Sequence, residues 1–277
     1  MGKFDGYLLV SDLDGTLIDH QARVSAENLA AIDFFVAEGG RFAGATGRTE
    51  LNVGEFSQGM PLTAPWILYN GAAIYDWQNE RFVYKAPLAR AGAEAFVRRV
   101  MARLPRICVQ IFAGGPYCQV NPTALPDRTA LRERQAFVDA PLESVTGDWL
   151  KVLFCSDFGE ELDVVEAMLE DDPLRAVVHK MRSGSRYFEF TASGVNKGSA
   201  LARLRTLLDP APCCVVAIGD YINDIEMLQE ADVSAAPESA LAQVKQHATI
   251  ITACHTQSAV ADLVRRLGAQ PLKPASA

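Results

Sequence analysis

Residues 6–11 read GYLLVS, a short run of consecutive apolar side chains, and Asp12-Leu13-Asp14-Gly15-Thr16 follows at once. A strand that leaves one face to water alternates apolar and polar residues. One that does not alternate has to be covered on both faces, as in a parallel sheet with helices on either side. The run therefore predicts a buried parallel strand, and it places two carboxylates at the carboxyl end of that strand. In open α/β sheets this is the end where ligands bind.

The segments that follow keep the same rhythm. SAENLAAIDFFVAEGG begins with a candidate cap, Ser25, spaces Leu29, Ile32, Phe35 and Val36 as one helical face, and stops at paired glycines. RFAGATGR and APWILYNGAAIYD supply a second and a third strand, each running into a glycine turn, the latter at Asn70-Gly71. Strand, helix, strand in this order implies right-handed crossovers and a parallel sheet. Near Tyr75 the pattern changes. A helix (RAGAEAFVRRVMARL), a hairpin around Gly114-Gly115, a polar stretch with Arg128, Arg132 and Arg134, a strand, a second helix and a hairpin around Ser183-Gly184 make an α+β block. After it GVNKGSALARLRTLL, CCVVAIGD, NDIEMLQEA, DVSAA, ATIIT and SAVADLVRRLG restore the parallel rhythm, and AQPLKPASA reads as a frayed end. The expected organisation is a Rossmann-like α/β core from 1–79 and 187–277, with an α+β domain inserted at 80–186.

The balance of charge narrows the partners. With 26 Lys and Arg against 34 Asp and Glu the chain carries a formal −8, the opposite of a nucleic-acid-binding footprint. No apolar run approaches the roughly 18 residues of a membrane span, and the N-terminus has no signal-peptide stretch. A small-molecule partner and a cytoplasmic location are expected, while oligomeric state is not legible. The six cysteines form no Cys-x-x-Cys pair and the four histidines do not gather beside them, so free thiols are expected rather than a zinc site.

Three clusters lie at predicted strand ends: Asp12-x-Asp14-Gly15-Thr16, Thr46-Gly47-Arg48 and Gly219-Asp220-x-x-Asn223-Asp224. A fourth, Lys197-Gly198, opens a helix. If the strands are neighbours, four or five carboxylates share one crevice, which is unfavourable without a cation between them. Oxygen ligands from Asp12 and Asp220, with Asp224 as a further candidate, suit Mg²⁺. The Thr46 hydroxyl, the backbone N–H groups around Gly15 and Gly47, and the Lys197 ammonium suit a phosphate. A carboxylate beside a bound phosphoryl group can attack phosphorus, and a second one two residues on can serve the leaving oxygen as acid and then the water as base. These roles fall to Asp12 and Asp14. Lys197 at a helix start sits against the dipole, which favours anions there, so a bound phosphate beside it is expected rather than a solvated surface position.

The quartet DLDGTL, TGR, NKG and GDYINDIEML, in this order, resembles the haloacid dehalogenase superfamily of phosphotransferases, and in particular the Cof-like phosphatases with a cap inserted between the second and third motifs. The resemblance implies a Mg²⁺-dependent phosphatase of small phosphorylated metabolites, sugar phosphates among them. It implies Asp12 as nucleophile and metal ligand, and Asp14 as acid/base that also offers the metal its backbone carbonyl. Thr46 with Gly47 would bind the phosphate, Lys197 would offset charge, and Asp220 would be the distal metal ligand. Asn223 and Asp224 would support metal and phosphate, Asn70-Gly71 would border the crevice, and Arg48 would join the substrate-binding set. The same motifs are compatible with phosphoryl transfer to an acceptor other than water, as in a sugar-phosphate mutase, or with a phospho-ligand sensor. One departure is SAAPESA at 234–240, where relatives of this class carry a compact asparagine-containing loop. Pro237 and Glu238 stand there, and an effect on substrate preference or activity is expected.

Overall fold

A computed structural model describes residues 2–54, 59–121, 124, 127, 131 and 135–269; Arg128, Arg132, Arg134 and the tail from 270 onward lie outside them. In chain order the main elements are β1 (Tyr7–Ser11), α1 (Ala26–Ala37), β2 (Arg41–Gly44), β3 (Trp66–Leu68), β4 (Ala73–Asp76), β5 (Arg81–Lys85), α2 (Arg90–Arg103), β6 (Cys108–Phe112), β7 (Tyr117–Gln119) and β8 (Phe137–Asp139). They continue with β9 (Lys151–Cys155), α3 (Gly159–Glu170), β10 (Val178–Gly184), β11 (Tyr187–Ala192), α4 (Lys197–Leu207), β12 (Cys214–Ile218), α5 (Ile225–Glu230), β13 (Val233–Pro237), β14 (Ile250–Thr252) and α6 (Ala259–Ala269). The chain divides into two compact units, one of Met1–Arg48, Gly54–Tyr84 and Asn196–Ala277, the other of Thr49–Val53 and Lys85–Val195.

The first unit is built on a five-stranded parallel sheet in the order β14-β13-β12-β1-β2. Every residue of β1 is buried, which is why its sequence does not alternate. Helix α1 starts at the Ser25 cap, whose hydroxyl accepts from the Asn28 N–H at 3.1 Å. It buries Ile32 and Phe35, the latter against the Phe4 ring at 4.5 Å. Asn28, also buried, ties the helix to its surroundings through Leu17 O (3.2 Å) and Ala261 N (2.9 Å). Register does the rest. Ser11 stands opposite both Ile218 and Gly44, so β1, β12 and β2 end level and the residues after them emerge side by side.

The third strand differs from its expectation. Ile67 makes one parallel bridge to Ala45, but the partner of β3 along its length is β4, antiparallel, in a separate three-stranded sheet with β5. The chain turns back at Tyr69–Gly71 before a longer parallel ladder can form.

The second unit carries a six-stranded sheet, β10-β11-β9-β6-β7-β8, antiparallel except for the β7–β8 pair. Helices α2 and α3 cover one face, where Phe96, Val100, Val109, Ile111, Phe154, Val165 and Phe190 form a continuous core. The period of two sends alternate residues to the other face. There Gln110 donates to Asp127 (3.0 Å), and Lys151 pairs with Glu189 at 2.9 Å, both side chains buried. All six cysteines are free, and among the described residues no helix is long and apolar enough to cross a membrane.

Candidate active site

Asp12 is the first residue past β1, its N–H donating to Ile218 O at 2.9 Å, and it is buried. The neighbouring strand ends bring Thr46 on one side and Asp220 with Asp224 on the other. Lys197 arrives from a helix. Asn196 caps α4 through a reciprocal pair with Ser199 (2.7 and 3.1 Å), which fixes Lys197 at the first helical position. Its ammonium, 1% exposed, donates to Asp12 Oδ1 at 2.5 Å and to Asp224 Oδ1 at 2.6 Å. In this structure a pair of carboxylates meets the lysine at the helix start.

Asp224 is fully buried and its second oxygen accepts the N–H groups of Asp220 (2.9 Å) and Tyr221 (3.0 Å). Both of its oxygens are therefore engaged by the protein. Asp220 accepts from the Thr16 hydroxyl at 3.1 Å. Asp12, Asp220 and Asp224 each offer a carboxylate oxygen within 4.8 Å of the others. Three carboxylates against one ammonium leave two negative charges uncompensated, the complement of a divalent cation, and the all-oxygen donor set suits a hard one.

The electrostatics carry the same strain. Burial first, and then the Asp224 charge, hold the Asp12 carboxyl well above the usual range against the pull of Lys197. Burial and Asp224 likewise push Asp220 up to about 6. On Lys197 burial acts to lower the pKa, but Asp12 and Asp224 outweigh it and the ammonium stays charged. A carboxyl whose pKa is raised on folding contributes stability that is complete below its unfolded value and is lost as pH rises through the folded one. With divalent ions chelated, thermal unfolding should therefore show the protein losing stability from about pH 4 to above about 6. A midpoint that rises steadily over that window would contradict the shared crevice.

Two glycines let the chain approach this closely. Gly15 has φ +83°, and a Cβ there would lie 2.5 Å from Asp220 Oδ2; Gly71 has φ +99°, and its Cβ would lie 2.2 Å from Asn196 O. Gly71 follows Asn70, itself left-handed (φ 55°, ψ 34°), whose N–H reaches Thr46 O at 3.0 Å. The Asn70 side chain accepts from Asn223 Nδ2 at 3.0 Å, so Asn223 braces the Asn70–Gly71 turn. The Thr46 hydroxyl accepts from the Arg48 N–H at 3.2 Å, closing the Thr46-Gly47-Arg48 turn.

Asp14 stands apart from the buried trio. Its side chain is 57% exposed, and the Arg48 guanidinium grips it with Nε to Oδ2 at 2.8 Å and Nη2 to Oδ1 at 2.5 Å. Thr16 is a partner the sequence reading leaves without a role. Its signal is the position after Gly15, where a hydroxyl beside a carboxylate cluster has an acceptor waiting. Pro237 ends β13 and Glu238 is exposed, its N–H on Thr252 O at 3.1 Å, while Leu241 N donates to Asp220 O at 3.1 Å. The residue just past this loop thus braces the backbone behind Asp220.

A family model described as haloacid dehalogenase-like hydrolase matches residues 9–264. The chain is 28% identical over 258 residues to the 5-amino-6-(5-phospho-D-ribitylamino)uracil phosphatase YcsE of Bacillus subtilis, covering 93% of this chain and 94% of that one. It is 25% identical over 269 residues to the phosphatase YitU of the same organism, which bears the same activity name, with 94% and 96% covered. Among solved structures, a haloacid dehalogenase-like hydrolase from Bacteroides thetaiotaomicron superposes with a TM-score of 0.84 at 23% identity, covering 94% of this chain and 99% of that chain, a likeness of fold.

Proposed function

Since the chain belongs to the haloacid dehalogenase-like hydrolases, we propose that it is a Mg²⁺-dependent phosphatase of small phosphomonoesters working through an aspartyl-phosphate on Asp12. The observation that carries this reading is the clustering of Asp12, Asp220 and Asp224, with one buried lysine on Asp12 and Asp224 and two negative charges left over. Asp12 and Asp220 with the Asp14 backbone carbonyl would hold the ion, and Asp224, engaged with Lys197 and two backbone N–H groups, would brace them. When bound, Mg²⁺ supplies positive charge to the oxygens of the transferring phosphoryl group.

Within the chain, an Asp12 carboxylate oxygen forms the new bond to phosphorus as the bond to the leaving oxygen breaks, and the Asp14 carboxyl gives that oxygen its proton. After the alcohol departs with that proton, water attacks phosphorus, Asp14 takes a proton from the water, the Asp12–phosphorus bond breaks and inorganic phosphate leaves. Lys197 balances the charge of phosphate and nucleophile. The Thr46 hydroxyl and the Gly47 N–H bind the phosphoryl oxygens, as preorganised donors do in such sites. The motif residues account for the phosphate chemistry alone, so we assign choice of the ester to the inserted unit.

The test is phosphate release from a panel with Mg²⁺ or with EDTA. The panel holds sugar phosphates, an aryl phosphate, and the phosphoribitylaminouracil for which the two Bacillus relatives are named. Release from at least one ester that EDTA abolishes and Mg²⁺ restores is the expected result. Mg²⁺ should also raise the unfolding midpoint more at pH 8 than at pH 4, where the carboxyls are protonated. Silence across the panel from folded protein, or release indifferent to EDTA, would count against the reading. Isomerisation of a sugar phosphate without net phosphate release would replace hydrolysis with transfer.

A further inference from the structure

We infer that Arg48 is the positioning residue for Asp14, holding the acid/base carboxyl in place by a two-point grip; the inference rests on the phosphatase reading above. Asp14 leaves β1 on the exposed side of a turn, and among the described residues Arg48 is its only side-chain hydrogen-bond partner. Arg48 is the anchored member of the pair. Its side chain is 12% exposed against 57% for Asp14, its N–H is fixed on the Thr46 hydroxyl, and its carbonyl accepts the Tyr69 N–H at 3.1 Å. A planar fork on both carboxylate oxygens sets orientation as well as distance, which an ammonium cannot do. An exposed acid is thereby referenced to the Thr46-Gly47-Arg48 turn, which under the phosphatase reading carries the phosphate donors.

An acid helps only where its proton is within hydrogen-bond reach of the oxygen that receives it. Loosening the grip should therefore cost most where protonation matters most. Alkyl phosphates expel a basic alkoxide and need the proton, whereas p-nitrophenyl phosphate expels a stable phenolate and hardly does. An arginine that bound the phosphate itself would matter equally to both, because the phosphoryl group is the same.

The experiment measures kcat/KM, which reports the first phosphoryl transfer, for a sugar phosphate turned over by the wild type and for p-nitrophenyl phosphate. The variants are Arg48→Lys, Arg48→Gln, Asp14→Asn and the double variant Asp14→Asn with Arg48→Lys, each checked for folding by thermal unfolding. Asp14→Asn should lose about 10²–10⁴-fold on the sugar phosphate, the range of acid–base catalysis, and far less on the aryl ester. Arg48→Lys should show the same selectivity at a smaller scale, about tenfold against about twofold, because Lys keeps the charge but not the fork. In the double variant the Arg48 change should add no further selectivity, since residues acting as a unit are not additive. Should Arg48→Gln fail to fold, Arg48→Lys alone decides. Equal losses on both esters for Arg48→Lys, with Asp14→Asn selective, would overturn the inference and leave the acid assignment standing. Equal losses for Asp14→Asn would remove the acid assignment and the inference with it.

Discussion

Asp12→Asn should abolish phosphate release from every ester, by on the order of 10⁴-fold or more, the scale seen when a covalent nucleophile is removed, while the protein remains folded. The amide is nearly isosteric and keeps one oxygen able to accept from Lys197, whose ammonium also retains Asp224 at 2.6 Å. Stability should shift the opposite way from activity. Burial and the Asp224 charge hold the Asp12 carboxyl well above its usual range, so its ionised form opposes folding. Removing that charge relieves a cost which exists only above the unfolded pKa. In EDTA the variant should unfold no earlier than the wild type at pH 4 and later at pH 8. Phosphate release in Mg²⁺ and thermal unfolding at the two pH values check both halves. Residual turnover within tenfold of wild type would show that another group attacks phosphorus.

The parts of the fold that were legible are those set by local pattern and cover. The unalternating run before Asp12 reads as a doubly covered strand because burial on both faces leaves no polar position in it, and β1 is buried throughout. Ser25, four residues ahead of Leu29, reads as a cap and is one. The antiparallel pairing of β3 was not legible. Trp66–Leu68 is apolar whether its partner is β2 or β4, and what decides is the left-handed turn at Tyr69 and Asn70, which neither residue type requires. Strand β8 is three residues, two of them exposed, too short for any period to register.

At the site, residue types were legible and partners were not. Lys197 against a helix dipole suggests a phosphate, but the sequence does not say that two aspartates 185 and 27 positions away touch its ammonium. The Asn223–Asn70 bond joins residues 153 apart, and the Arg48–Asp14 grip depends on β1 and β2 ending level. Register is a property of the sheet, so contacts that follow from it stay invisible in any one segment.

Lys197→Met tests how far the buried charges depend on one another. Methionine fills a similar volume, so the variant removes an ammonium without opening a cavity. What remains is Asp12 and Asp224, both buried, without the cation that each touches. Breaking a buried pair by deleting one partner costs about 3–5 kcal/mol, because the uncompensated charge stays behind. The cost should depend on pH in a direction that ordinary packing loss cannot imitate. Lys197 acts to lower the pKa of both Asp12 and Asp220, so its removal pushes both carboxyls further up. Near pH 4 they are protonated in the variant and little is lost. By pH 8 the unfolded chain carries these carboxyls ionised while the crevice disfavours their charge, so the penalty is far larger. Urea unfolding in EDTA should thus separate the variant from the wild type slightly at pH 4 and widely at pH 8, and Mg²⁺ should narrow the gap at pH 8 without restoring turnover. A gap of the same size at both pH values would mean that the lysine contributes packing rather than charge, and the balance of charges inferred for the crevice would fail with it.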